Sequence, residues 1–204
     1  MDNQLGKIQP MGLAQAVDAN ALSGFDTVTI VSSYLLILGE REAVAWVLRE
    51  SRMAFPPTSR REVAKLKVGD NLFIVTTRGC WHNPTRDRTR IVGLAKVTTS
   101  VVAYDEPVTI AGRDFTRGCE LSIETLAPYL TGVELVPLVP HLDAFPDKRS
   151  GRWSNRLRRP LLEISDDDAQ FLGQKLGNVC GDAATMIPKY LAVIRPVQSV
   201  SRRK

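Results

Sequence analysis

Two short segments combine a tryptophan with arginines: Arg78-Gly79-Cys80-Trp81-His82 and Arg152-Trp153-Ser154-Asn155-Arg156. A planar apolar face beside guanidinium groups suits a stacked base flanked by phosphates, because stacking and phosphate contact then come from neighbouring residues. The same pattern arises when a tryptophan packs on a core and leaves its arginines in solvent. Cys80 and His82 form a Cys-x-His pair, but a metal would need two further ligands, from Cys119, Cys180, His141 or distant carboxylates. The three cysteines are far apart and form no C-x-x-C pair, so neither a disulfide framework nor a structural zinc is expected. No cofactor and no metal is called for.

The triplet Asp166-Asp167-Asp168 invites a metal-site or nuclease reading. Behind Ser165, however, it fits the first turn of a helix, where the serine caps and the dipole favours negative charge. The chain has two histidines, His82 and His141, and no G-x-S-x-G, P-loop or dinucleotide fingerprint. Asp105, Glu106 and Asp143 could serve as acids or bases, as could any exposed carboxylates. The expectation is therefore binding without catalysis.

The elements that must position these groups are bounded by size. A chain of 204 residues, 44% hydrophobic, can bury one good core, so one domain with short additions is expected. A net charge of +5 is a moderate excess. It is concentrated at Arg60-Arg61, along 78–90, along 148–159 and in the tail Arg202-Arg203-Lys204. No apolar run approaches the roughly 20 residues of a membrane span, and residues 1–10 lack the layout of a signal peptide. A cytoplasmic protein without membrane contact is the expectation.

Helical spacing of apolar residues marks 12–22, and the β-branched run 27–31 reads as a strand. The continuous apolar run 34–38 is a further strand, and 41–53 a helix with Ala43, Val44, Val47 and Leu48 on one stripe and Trp46 at its edge, most simply as core. Pro56-Pro57 forbid continuation. A helix over 59–66 is capped by Ser59, with Glu62 completing a capping box. Strands follow at 71–77, 91–97 and 101–104, with a hairpin around Ala111-Gly112 and strands at 119–126 and 133–139. Residues 157–164, interrupted by Pro160, make an edge strand, 165–176 a helix, and 190–194 a last strand before a basic tail. Six or seven strands suit a small barrel or a strongly curved sheet. The expected organisation is an N-terminal extension over 1–30, a domain over 31–176, and a C-terminal strand and basic tail over 177–204 packed on that domain.

The order of these pieces resembles the EVE domains of the PUA-like superfamily, whose fold YTH domains share. The likeness runs from about residue 33 to 172. It is carried by Tyr34-Leu35-Leu36-Ile37-Leu38, by Lys67-Val68-Gly69-Asp70 leading into Asn71-Leu72-Phe73-Ile74-Val75, by Arg90-Ile91-Val92-Gly93-Leu94-Ala95-Lys96-Val97, and by Arg156-Leu157 with residues 159–170. The sequence departs from the family pattern in lacking its opening tryptophan or tyrosine-tryptophan.

The resemblance implies an α+β fold: a PUA/EVE-like curved sheet or small β-barrel with helices packed on it. It also implies an aromatic pocket that holds a modified base flipped out of the stack, 5-methylcytosine in DNA foremost, with modified or structured RNA, a protein partner or a small nucleotide as alternatives. By position in the family pattern, Phe55 and Trp81 would stack on the base and Trp153 would stack or act as a wedge. Ser32, Ser33 and Tyr34 would contact its edge. Arg52, Arg60, Arg78, Arg86, Arg88, Arg152, Arg156 and Arg158 would bind phosphates. Ordinary core packing is the competing role for Tyr34 and Phe55.

Overall fold

The run of apolar residues at 34–38 becomes strand β1 (Ser33–Leu38), buried along its whole length. Its side chains alternate between two cores. Tyr34, Leu36 and Leu38 face one cluster, and Leu35 and Ile37 face the other. A strand covered on both faces reads as continuously hydrophobic rather than alternating, which is why the run lacks a period of two. In this computed structural model the described residues are 31–57, 60–147 and 151–194. The expected elements at 12–22 and 27–31 and the basic tail are outside them, apart from the last position, Val31.

Helix α1 (Arg41–Glu50) buries Val44, Ala45, Val47 and Leu48 against the first core. It ends earlier than the apolar pattern suggests. Ser51 turns left-handed at φ 49°, and β2 (Arg52–Phe55) pairs antiparallel with the later strand β6 (Arg113–Leu126). Pairing therefore claims Met53, which helical periodicity had assigned to the helix. Tyr104 Oη donates to the Met53 carbonyl at 3.2 Å where β2 crosses Gly118. A Cβ at Gly118 would collide with both groups, so glycine is required for that approach.

A short helix α2 (Arg61–Lys65) has Arg60, without a side-chain cap bond, at its N-cap position. The expected Ser59 capping box falls outside the described residues. Strand β3 (Asn71–Thr76) pairs parallel with β1 and antiparallel with β4 (Arg90–Val97). Buried Asp70 fixes the approach to β3: its carboxylate accepts from the amides of Ser32 at 2.9 Å and Lys67 at 2.8 Å. Strand β5 (Val102–Ile110) and β6 form a hairpin whose turn residues, Ala111 at φ 49° and Gly112 at φ 75°, take the doubly left-handed path of a tight hairpin.

The strand expected over 133–139 survives only as β7 (Val133–Glu134). The chain then turns into a 3₁₀ segment, Val136–His141. Pro137 and Pro140 supply no amide to a ladder, and this excludes a longer strand. A second 3₁₀ segment, Arg152–Arg158, leads into β8 (Leu161–Ile164), which borders β1 at the end of the principal strand order β2-β6-β4-β3-β1-β8. The Pro160 segment is thus an edge, as its proline requires.

Helix α3 (Asp166–Gly177) is capped by Ser165, whose Oγ accepts from the Asp168 amide at 3.2 Å. Asp168 is 3% exposed and accepts from the amides of Asp143 at 3.0 Å and Ala144 at 2.8 Å. The acidic triplet is accordingly a cap and an anchor. The strand expected at 190–194 is instead the end of helix α4 (Ala183–Val193), preceded by the two-residue β9 (Gly181–Asp182). Asp182 caps α4 through the Thr185 amide at 3.0 Å, and Tyr190 is fully buried against the first core. Packing of one helical face overrides the β-like composition of 190–194. The result is a mixed, curled sheet forming a half-barrel with helices packed on it, the α+β architecture expected from the sequence. Among the described residues, no helix is long and apolar enough to cross a membrane.

Candidate functional site

Five separated stretches of chain meet around a cleft of about 420 Å³. These are the end of β1 with the start of α1, the end of β2 with Arg60, Thr77 just after β3, the tip of the β5–β6 hairpin, and residues 157–160. The volume falls within the roughly 300–1,000 Å³ common for small-ligand sites. Its apolar surface includes Leu38, Ala43, Trp46, Met53, Ile110 and Phe115. Trp46 is half-buried: one side packs on the first core and the residue also lines the cleft. Arg60, Arg113, Arg158 and Arg159 supply positive charge, and Glu40 and Asp114 supply carboxylates.

A second, more open cleft of about 810 Å³ adjoins the first and shares Thr77, Leu157 and Arg158 with it. Arg78, Arg88 and Trp153 also line it. Trp153 is half-buried and meets the Phe145 ring edge-on, with centroids 5.7 Å apart. Arg158 thus stands on the wall common to an apolar cleft and a basic one.

The arginines around these clefts differ in how far they are committed to the fold. Arg60, Arg113 and Arg158 are exposed and make no ion pair among the described residues. Arg159 is paired with Glu62 at 2.8 Å. Arg78 Nε donates to the Pro84 carbonyl at 2.8 Å, and Arg88 Nη1 donates to the carbonyls of Thr85, Arg86 and Asp87. These contacts shape the 78–89 loop. Buried Asp87 completes the loop, accepting from the amides of Trp81 and Asn83 at 3.1 Å each.

Of the residues that the sequence marked for a base pocket, Trp153 alone lines either cleft. Tyr34 and Phe55 are each 1% exposed and belong to the first core, so neither presents a free stacking face. Burial also raises the Tyr34 phenol above its ordinary range, reinforced by the charges of Asp70 and Glu163. Ser33 is buried, and the Ser32 amide is held by Asp70. Trp81 packs in an aromatic trio, 5.1 Å from Tyr129 and 6.1 Å from Tyr190, with Tyr129 and Tyr190 5.3 Å apart. The core-packing alternative therefore describes Trp81, Tyr34 and Phe55.

Among the expected phosphate ligands, Arg60, Arg78, Arg88 and Arg158 line the clefts. Arg156 instead donates from Nη1 to the Ala144 carbonyl, tying the 3₁₀ segment to the loop anchored by Asp168. The Arg52 guanidinium lies 5.0 Å over the Tyr104 ring, away from both clefts. Arg86 is exposed on the loop, and Arg152 lies 3.8 Å from Asp147 at the surface. Sequence reasoning did not mark Trp46, Phe115, Arg113 or Arg159. Trp46 at the edge of its helical stripe was the one local sign that it could face a cleft, and nothing local places the hairpin tip there.

Burial favours the neutral form of all three thiols. Burial raises Cys80 far above its ordinary range, Cys119 to about 12 and Cys180 to about 11. The Cys80-x-His82 pair noted in the sequence does not converge: Cys80 is buried, while His82 Nε2 lies 3.5 Å from Glu40 Oε2 and 3.9 Å from Glu42 Oε2.

No known family model matches the sequence, and no curated protein matches it. Among solved structures, the chain is similar to the Mmi1 YTH domain in complex with RNA, at 14% identity and a TM-score of 0.49, over 72% of this chain and 79% of that one. It is similar to a hypothetical protein from Leishmania major at 11% identity and a TM-score of 0.46, over 73% and 96% of the two chains. Rpa0253 from Rhodopseudomonas palustris matches at 14% identity and a TM-score of 0.43, over 72% and 94%. The likeness to EVE domains is thus carried by the sequence elements alone.

Proposed function

We propose that the protein binds a nucleic-acid strand without catalysing a reaction, holding one unstacked base in the apolar cleft while adjacent phosphates lie along Arg158, Arg78 and Arg88. The observation that carries this reading is the shared wall. An apolar cleft bearing Trp46 and Phe115 opens beside a broad basic cleft bearing Trp153, and Arg158, without an ion pair among the described residues, serves both. A base needs a planar or apolar surface to replace the stacking it gives up, and its neighbouring phosphates need cations within one nucleotide's reach. The pairing of clefts supplies the two together.

In its finer form the proposal is that the base is methylated, with 5-methylcytosine in DNA as the first candidate. The support is the aliphatic lining from Leu38, Ala43, Met53 and Ile110, against which a base methyl loses water-exposed area. One methyl is worth about 0.8 kcal/mol by area, so the preference over the plain base would be only about fourfold, rising where water is excluded around the plain base. The test is a titration of short duplexes and single strands, identical except for 5-methylcytosine, N6-methyladenine or no modification, with matched RNA. Preference for a methylated DNA that vanishes in Trp46→Ala supports the full reading. Preference for RNA keeps the cleft and replaces the DNA assignment. Equal weak binding to every probe, unchanged in Trp46→Ala, removes the base-holding reading.

A further inference from the structure

The loop that carries Arg78 and Arg88 also carries a side chain the nucleic-acid reading does not use. His82 takes a left-handed backbone at φ 63°, and its amide donates to the Gly79 carbonyl at 2.9 Å. The residues on either side of it are pinned by one buried carboxylate, since Asp87 accepts from both Trp81 and Asn83. A left-handed conformation is uncommon outside glycine, although histidine takes it more often than most residues, and it persists where the surroundings fix it. Its result here is to aim the imidazole at the start of α1.

There Glu40 and Glu42 meet it. One donor atom from each of Glu40, Glu42 and His82 lies within 4.8 Å of the other two. The separations of His82 Nε2 from the carboxylate oxygens are 3.5 Å and 3.9 Å. Ligands about 2.0–2.2 Å from a tetrahedral metal are about 3.3–3.5 Å apart, so the first separation already fits and the second requires a small closure. Three donors on one side leave the remaining positions open, as metal sites that engage an exchangeable ligand require. Two carboxylates and one neutral imidazole nitrogen are donors that such an ion takes. Arg41 Nε occupies Glu42 Oε1 at 3.0 Å, which leaves Oε2 as the ligand atom.

We propose that Glu40, Glu42 and His82 form a binding site for a divalent first-row metal ion of the Zn²⁺ class beside the apolar cleft. One imidazole nitrogen with two carboxylate oxygens selects such ions over Ca²⁺ and Mg²⁺, which favour all-oxygen sets. Because Glu40 also lines the apolar cleft, a bound cation cancels negative charge at a wall whose other charged groups are largely arginines. The site stands on its own residues and does not depend on nucleic acid being the ligand of the cleft.

The test uses the untagged full chain, titrated with Zn²⁺ by calorimetry and with Co²⁺ by visible absorption, with Mg²⁺ as a control. The two histidine rings, His82 and His141, are followed by NMR. The expected result is one equivalent of Zn²⁺ with selective perturbation of the His82 ring. Affinity should fall at least about tenfold in His82→Ala, and also in Glu40→Gln and Glu42→Gln, while melting temperatures of the metal-free variants show that each still folds. Absence of stoichiometric Zn²⁺ binding below millimolar concentration overturns the proposal. So does binding that survives His82→Ala unchanged, because the ion is then held elsewhere. None of these readouts involves nucleic acid, so failure here leaves the proposed function untouched, and failure of that function leaves this site untouched.

Discussion

Two arginines two residues apart, Arg156 and Arg158, look alike in the sequence, and the structure assigns them opposite work. Arg158 is exposed, without an ion pair among the described residues, on the wall shared by the two clefts. Arg156 is half-buried and donates to the Ala144 carbonyl. Replacing Arg158 by alanine should therefore leave stability within about 0.5 kcal/mol of the parent. It should remove one phosphate contact, lowering the slope of log affinity against log salt by about 0.7 for a single strand or 0.9 for a duplex. Over a fourfold change in salt, from about 50 to 200 mM, that is about a threefold smaller loss of affinity than the parent shows.

Arg156→Ala should do the reverse. Losing a charged donor from a carbonyl in the protein costs about 2 kcal/mol, which lowers the melting temperature by about 4–8 °C for a chain of this size, with the salt slope unchanged. The assay is fluorescence anisotropy with a labelled oligonucleotide at four salt concentrations, alongside thermal melts of both variants. An Arg158→Ala slope equal to the parent's, or an Arg156→Ala slope reduced as much as expected for Arg158, would refute the assignment of phosphate contact by exposure and cleft position.

Four further outcomes follow from the same geometry. Trp46→Ala should weaken binding of the preferred strand by about 5- to 150-fold, the worth of one stacked base, whereas Trp81→Ala should chiefly lower stability, by about 3 kcal/mol in chemical denaturation, because it opens the trio with Tyr129 and Tyr190. Gly118→Ala should destabilise the fold by about 3 kcal/mol or more and increase protease sensitivity at β2, since the new methyl meets the Met53 carbonyl and the Tyr104 hydroxyl. Asp168→Ala strips acceptors from the Asp143 and Ala144 amides and should cost about 2–5 kcal/mol, measured by urea titration. Glu42, whose folded value is lowered, contributes stability that is present above its ordinary value and is lost as pH falls through the lowered one. Melting curves between about pH 5 and 2 should therefore flatten in Glu42→Gln relative to the parent.

The elements legible in the sequence are those with local causes. Ser165 before three aspartates specified the start of α3, and Ala111-Gly112 specified the hairpin turn, because capping and left-handed turns are decided within four residues. The run at 34–38 specified a strand, and its lack of alternation already implied two covered faces. Where local composition and packing disagreed, packing prevailed: Met53, expected at the end of the first helix, pairs with Cys119 in the sheet, and 190–194 became helix because Tyr190 is buried from α4.

The candidate site was legible only in part, for a related reason. Arg60, Arg78, Arg88, Arg158 and Trp153 stand at the clefts and belong to basic segments visible in the sequence. Whether a tryptophan in such a segment faces solvent or core depends on what lies opposite it. Trp81 meets Tyr129 and Tyr190, which are 48 and 109 residues further along by their numbering, and no window around residue 81 contains them. Trp46 became part of a cleft because the distant hairpin tip and residues 157–160 were brought alongside α1. By itself the sequence determined the α+β class, most of the strands, the Ser165 cap of α3 and the clustering of positive charge, all of which follow from neighbouring residues. Only the tertiary structure decided which arginines line a cleft without an ion pair among the described residues, which aromatics line a cleft, and that His82 faces Glu40 and Glu42, because each depends on contacts between segments far apart in the chain.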